Sequence, residues 1–206
     1  MEPIAIGIDV GQKRDPTAVA VVEAEERADP QTSTVADHYL VRHIERLELG
    51  TPYPAVAQRL AAIVANVQLH ARPADRLLPT IWLDATGVGQ PVVDLLAEAG
   101  LSVTAVYFTH GDRLAENTQA RTVSLGKALL VSRLQVLLQS RRVHLPRTAE
   151  AETLARELLD YEIHVDEQAN DRYGAFMVGS HDDLVTALGL AVLAAQQSAP
   201  AGVWLA

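Results

Sequence analysis

Three places along the chain put carboxylates against apolar runs, where an acid is costly. Asp9 follows the alternating Ile4, Ile6 and Ile8. Asp84 follows Ile81, Trp82 and Leu83. Asp182 and Asp183 open the apolar stretch that runs towards Gln197. Each acid falls at the end of an expected element, where loops meet and sites are commonly built. If the strands that end in Asp9 and Asp84 are parallel neighbours, the two carboxylates lie side by side and repel. A divalent cation resolves that conflict. Hard oxygen donors suit Mg2+ or Mn2+, with water and substrate phosphate completing the coordination.

Each acid also has a plainer reading. Asp9 with Gly11, and Asp84 with Gly87, fit ordinary turns closed by an aspartate side chain. Ser180, His181, Asp182 and Asp183 fit a helix start with Ser180 as cap and Asp183 three positions on. The acids taken together, in this strand order, favour the metal site. Between the last two, Asp183 shares a helical face with Ala187, Leu190 and Ala194, which should press on a sheet. Asp183 is therefore the first choice of ligand, and Asp182 a second ligand or a supporting group.

Basic residues are the other chemistry-bearing set. Arg121, Lys127 and Arg133, followed by Arg141, Arg142 and Arg147, form the densest basic run. They read either as a strip that tracks phosphates beside the acids or as a solvated helix face. Lys13 and Arg14 lie in the turn after Asp9, placed to touch a substrate strand or only to solubilise. His181 precedes the aspartates and could move a proton or merely start the helix. Gly87 and Gly89 read as a strand-to-helix turn rather than a phosphate cradle.

The elements that must position these groups follow from periodicity. Ile4 to Val10 and Thr17 to Val22 read as strands of a hairpin, Glu23 to Thr34 as a polar loop or hairpin tip, and Val35 to Leu49 as a third strand. Pro52 to Leu69 has helical spacing. Ile81 to Asp84 reads as a strand, Gln90 to Ala99 as a helix ended by Gly100, and Leu101 to Phe108 as a strand. His110 to Gln119 reads as a polar loop, Val123 to Ser140 as one long helix, Arg142 to Leu145 as a short extended piece, and Ala149 to Asp160 as a helix. A hairpin is expected from Tyr161 to Val165 and Tyr173 to Val178, and a last helix from Ser180 to about Gln197. The fold class expected is α/β, with a mixed central sheet, an antiparallel meander followed by parallel strands, flanked by helices.

Composition narrows the function classes. With 206 residues, one domain is expected, here 1–198 with a tail 199–206. No cysteine is present, which excludes disulfides, thiolate metal sites and cysteine nucleophiles. Apolar runs stop well short of the ~18 residues of a membrane span, so no membrane partner is expected. The formal net charge of −9 opposes broad nucleic-acid binding, so DNA or RNA would have to meet a local patch or bound metal ions. Aromatic residues at 4% argue against base-stacking platforms.

Four segments together resemble a known family: GIDVGQKRDPTAVAVV (7–22), WLDATGVGQPVVDLL (82–96), LGKALLVSRLQVLLQSRRVHLP (125–146) and YGAFMVGSHDDLVTALGLA (173–191). In that order they are similar to the nuclease domain of bacteriophage terminase large subunits, within the ribonuclease H-like superfamily. The DATGVG and HDDLVTAL pieces are the most specific. The resemblance implies a ribonuclease H-like fold and metal-dependent endonuclease cleavage of double-stranded DNA during genome packaging. It also implies two divalent ions, Mg2+ or Mn2+, on Asp9, Asp84 and Asp183 with Asp182 adjacent. One ion would activate a water and the other stabilise the departing 3′ oxygen. It implies a cytoplasmic setting in a bacterial host. Double-stranded DNA would be the substrate, and a separate packaging ATPase, a small terminase subunit or a portal the partners.

The chain departs from full terminases in lacking G-x-x-x-x-G-K-[ST]. Leu125-Gly126-Lys127-Ala128 lacks the first glycine and the hydroxyl, so the chain is not the motor. Many relatives have an acid where Thr186 stands. Within the enzyme class a resolvase-like nuclease that cuts branched DNA stays open, and two readings of other kinds are kept. One is a ribonuclease H-like module that binds DNA or a partner without cutting. The other is an actin-like ATPase, which the absence of a second copy of the first hairpin opposes.

Overall fold

The computed structural model describes residues 3–11, 15–28, 34–70, 78–87, 90–160, 162–165, 171–174 and 182–198. Eight strands form one mixed sheet: β1 (Ile4–Asp9), β2 (Ala18–Ala28), β3 (Val35–Arg46), β4 (Thr80–Asp84), β5 (Val103–Thr109), β6 (Leu114–Asn117), β7 (Thr122–Gly126) and β8 (Val143–His144). Their order is β6-β7-β5-β4-β1-β2-β3-β8. β1, β2 and β3 form the expected antiparallel meander, and β4, β5 and β7 run parallel to β1. A separate hairpin joins β9 (Glu162–Val165) and β10 (Asp171–Gly174).

Helices cover both faces. Strand residues alternate, so Ile6, Ile8, Val19, Val21, Ile81 and Leu83 face one way, against α1 (Tyr53–His70) and α2 (Gln90–Glu98). Ala5, Ala18, Ala20, Trp82 and Val106 face the other way. They meet α3 (Lys127–Gln139), α4 (Ala149–Asp160) and α5 (Asp183–Ser198). α5 is apolar on all sides and buried from Asp183 to Ala195, as a helix between a sheet and other helices must be. Gly7 explains its close approach to β1. A Cβ there would stand 2.0 Å from the Ala187 carbonyl oxygen and 2.4 Å from the Ala191 nitrogen.

Four expectations need correction. The segment Val123 to Ser140 is not one helix: β7 takes Thr122–Gly126, with Val123 and Leu125 buried at strand spacing, and α3 starts at Lys127. The expected loop His110 to Gln119 contains the edge strand β6, paired antiparallel to β7. β2 runs on through the charged Glu23 to Ala28, because β3 pairs with it to the end, Ala28 opposite Val35. The last helix starts at Asp183 rather than Ser180; Ser180 and the tail 199–206 lie outside the described residues.

Candidate metal centre

The sheet order brings the first two acids together. In the parallel β1–β4 pair, Asp9 stands directly opposite Asp84. The chain leaves β1 towards β2 on one side and leaves β4 towards β5 on the other, so the two aspartates sit at the carboxyl ends of strands where the winding reverses. Crevices at such reversals are the usual ligand sites of α/β sheets. One cross-strand row holds Val106, Asp84, Asp9, Ala18 and Arg46. Its apolar members pack in the α5 core, so the row faces α5.

α5 supplies the other two acids. The Asp182 carbonyl accepts from the Thr186 amide at 2.9 Å, which makes Asp182 the residue that caps the helix and Asp183 its first residue. Asp183 is only 3% exposed. Arg46 Nε donates to Asp183 Oδ2 at 2.7 Å and Arg46 Nη2 to Asp183 Oδ1 at 2.9 Å; Nη2 also donates to Glu157 of α4. Burial works against the Arg46 charge, but its hydrogen bonds to the two carboxylates together with their negative charges outweigh this and push its pKa up. Lys127 Nζ donates to Asp182 Oδ2 at 3.3 Å and lies 5.6 Å from the centre of the Phe108 ring.

Asp9 carries the electrostatic strain. Burial first, then the charges of Asp84, Asp182 and Asp183, push its carboxyl well above the ordinary carboxylate range, with Lys127 pulling the other way. Asp84 is partly oriented: its Oδ1 accepts the Thr86 amide at 2.9 Å, and Thr86 Oγ1 accepts the Phe108 amide at 2.8 Å. So the turn expected at Asp84 exists and coexists with the clustering. The turn proposed for Asp9 does not use the Gly11 amide, which donates to Thr17 Oγ1 at 3.1 Å.

A donor set made only of aspartates suits a hard divalent cation. Among the described residues, no three acid or histidine side chains are grouped closely enough to hold one ion as they stand. Asp183 is drawn onto Arg46, and Asp182 onto Lys127.

The basic run is dispersed. Lys127 reaches the acids. Arg121 turns to the Ser102 hydroxyl, ahead of β5 and away from the strand ends that carry the aspartates. Arg142 donates to the Asp37 carbonyl at 2.6 Å, and Arg141 lies beside it at the β8 edge. Asp37 pairs with Glu26, towards the far end of the β2–β3 hairpin from Arg46. Lys13, Arg14, His181 and Gly89 lie outside the described residues. Two groups absent from the sequence reading belong here, Arg46 and Glu157. A cation at the end of the third strand is the signal for the first, and its place in the Asp9 row comes from the strand pairing rather than from the sequence. Nothing in the sequence marks Glu157 among the acids of α4.

No protein-family model matches the chain, and no curated protein is similar to it in sequence. Solved structures are similar in fold. The large terminase nuclease from thermophilic phage G20c is 22% identical, with a TM-score of 0.62 over 93% of this chain and 82% of that one. The Thermus phage P74-26 large terminase nuclease domain is 19% identical, with a TM-score of 0.57 over 92% and 78%. The human cytomegalovirus terminase nuclease domain is 14% identical, with a TM-score of 0.55 over 94% and 83%. The G20c domain has been seen with bound magnesium, and the nuclease domain of bacteriophage SPP1 large terminase with bound manganese. Against the HK97 bacteriophage large terminase, the match covers 93% of this chain and 39% of that one. The mixed sheet, its flanking helices and these matches over nearly the whole chain give this protein the ribonuclease H-like fold of large terminase nuclease domains.

Proposed function

We propose that this chain is a metal-dependent endonuclease that hydrolyses double-stranded DNA with two divalent ions, Mg2+ or Mn2+. The observation that carries the proposal is the pairing of Asp9 with Asp84 across adjacent parallel strands, with Asp182 and Asp183 close enough to charge the same carboxyl. Asp9, Asp84 and Asp183 would hold the ions, with Asp182 beside them. Bound ions of this kind lower the pKa of a water and stabilise a departing oxygen.

The protein's own contribution is placement. The β1–β4 pairing fixes two carboxylates, the Thr86 amide orients one of them, and the contact of α5 with Gly7 sets where the helix start stands. Lys127, beside Asp182, is a basic residue that could meet a phosphate next to the acids. Genome packaging is the setting this reading suggests, in the cytoplasm of a bacterial host, with a packaging ATPase, a small terminase subunit or a portal as partners. No helix among the described residues is long and apolar enough to cross a membrane.

The test is plasmid nicking and linearisation with manganese, magnesium or chelator, with Asp84→Asn protein alongside. Metal-dependent cutting by the wild type alone supports the proposal. Equal cutting by the variant refutes the site, and no cutting by folded wild type with either metal favours a binding module.

A further inference from the structure

Arg46 stands two strands from Asp9 in the same row and on the same face. The residue between them is Ala18, whose side chain ends at Cβ and leaves the guanidinium room to cross β2 towards the start of α5. There it meets both oxygens of the buried Asp183 in a forked, charge-assisted pair, and is shared with Glu157. Asp9 has no such partner among the described residues. An ion that takes Asp183 as a ligand therefore competes with a cation already fixed on it by two hydrogen bonds. Arg46 also lines a cleft of about 590 Å³ between β3 and α4, whose walls include Glu45 and Glu150. That cleft offers a displaced guanidinium open space with the Glu150 carboxylate in its wall; Glu45 is already held by Arg59 and His43.

We propose that Arg46 sets the metal affinity of the centre by competing with a divalent ion for Asp183, and moves towards the cleft when the ion binds. This rests on the reading of the four aspartates as a metal site. The experiment titrates manganese chloride into chelator-treated protein by calorimetry, with wild type, Arg46→Gln, Asp84→Asn and the double variant Arg46→Gln/Glu157→Gln. The double variant removes one charge of each sign, so its local net charge is unchanged, and it also removes the carboxylate charge that Arg46 faces in Glu157, should the single variant fail to fold.

Both Arg46 variants are expected to bind manganese about tenfold more tightly than wild type, since the ion no longer displaces two charge-assisted hydrogen bonds. Equal or weaker binding in both overturns the role of Arg46 while leaving the metal site standing. Tightening in the single variant alone reduces the effect to net charge and overturns displacement. If neither the wild type nor the Arg46 variants bind manganese, the metal site itself falls, and this inference with it. Loss of binding in Asp84→Asn ties the measured ion to the centre described here.

Discussion

Replacing Asp9 by asparagine should remove catalysis and at the same time stabilise the protein in chelator. Neighbouring parallel strands lie ~4.8 Å apart, so the charges of Asp9 and Asp84 are separated by about 5 Å. At an effective dielectric constant of about 20, that is about 3 kcal/mol of repulsion, an upper figure because both groups keep some contact with solvent. Asp182 and Asp183 add less, since Lys127 and Arg46 offset them. Relief of about 1–3 kcal/mol is expected, or roughly 2–12 °C in Tm for a chain of this size.

The pH dependence has a fixed sign. The Asp9 carboxyl is raised in the folded state above its ordinary value of 3.8, so the native protein holds the extra proton. Wild-type stability then increases as pH falls from that raised value towards 3.8, and the advantage of Asp9→Asn shrinks over the same window. The assay is thermal unfolding of both proteins in chelator at pH 8 and pH 5, repeated at pH 8 with manganese. The reasoning fails if the variant is no more stable than wild type at pH 8, or if its advantage is the same at pH 5. Manganese should stabilise only the wild type.

Other consequences can be checked singly. Gly7→Ala drives a methyl group into the backbone of α5; it should cost about 3 kcal/mol or more, read as a lower denaturant midpoint, and weaken manganese binding because Asp183 moves with the helix. Lys127→Gln removes the charge that lowers the Asp9 pKa, so the acid limb of metal-dependent cleavage should move to higher pH in a pH–rate profile. His38 Nδ1 and His144 Nε2 meet at 2.8 Å, and burial followed by neighbouring positive charge lowers both pKa values. Their contribution to stability is therefore complete above the ordinary 6.5 and lost as pH falls through the folded values. In an Asp9→Asn background, His144→Asn should flatten the loss of Tm between pH 7.5 and 5.5.

The acids were legible in the sequence because their signal is local. Asp9 and Asp84 each interrupt an apolar run at a strand end, and the order of elements makes those strands parallel neighbours. β7 was hidden because Leu125 is in helical register with Leu129, and only Val123 and Leu125 speak for a strand. β6 was hidden because an edge strand with mostly exposed side chains has the composition of a loop. Arg46 was hidden for a different reason. The β2–β3 pairing slips between Val21 and Val22, so counting back from the hairpin tip puts the wrong residue opposite Ala18.

The same electrostatics connect the acidic composition to the proposed substrate. A chain of net charge −9 repels a polyanion over most of its surface. At the carboxyl ends of β1 and β4 the repulsion is internal as well, between aspartates that the fold holds together. Divalent ions bound as proposed would relieve both at once, because they would neutralise the aspartates and present positive charge to a phosphate. The four aspartates are not served equally by the protein's own cations. Among the described residues, Arg46 takes Asp183 and Lys127 takes Asp182, while Asp9 is left to burial and its neighbours. In the proposed site, an ion would therefore be drawn first to the β1–β4 pair, and would engage Asp183 only at the expense of Arg46.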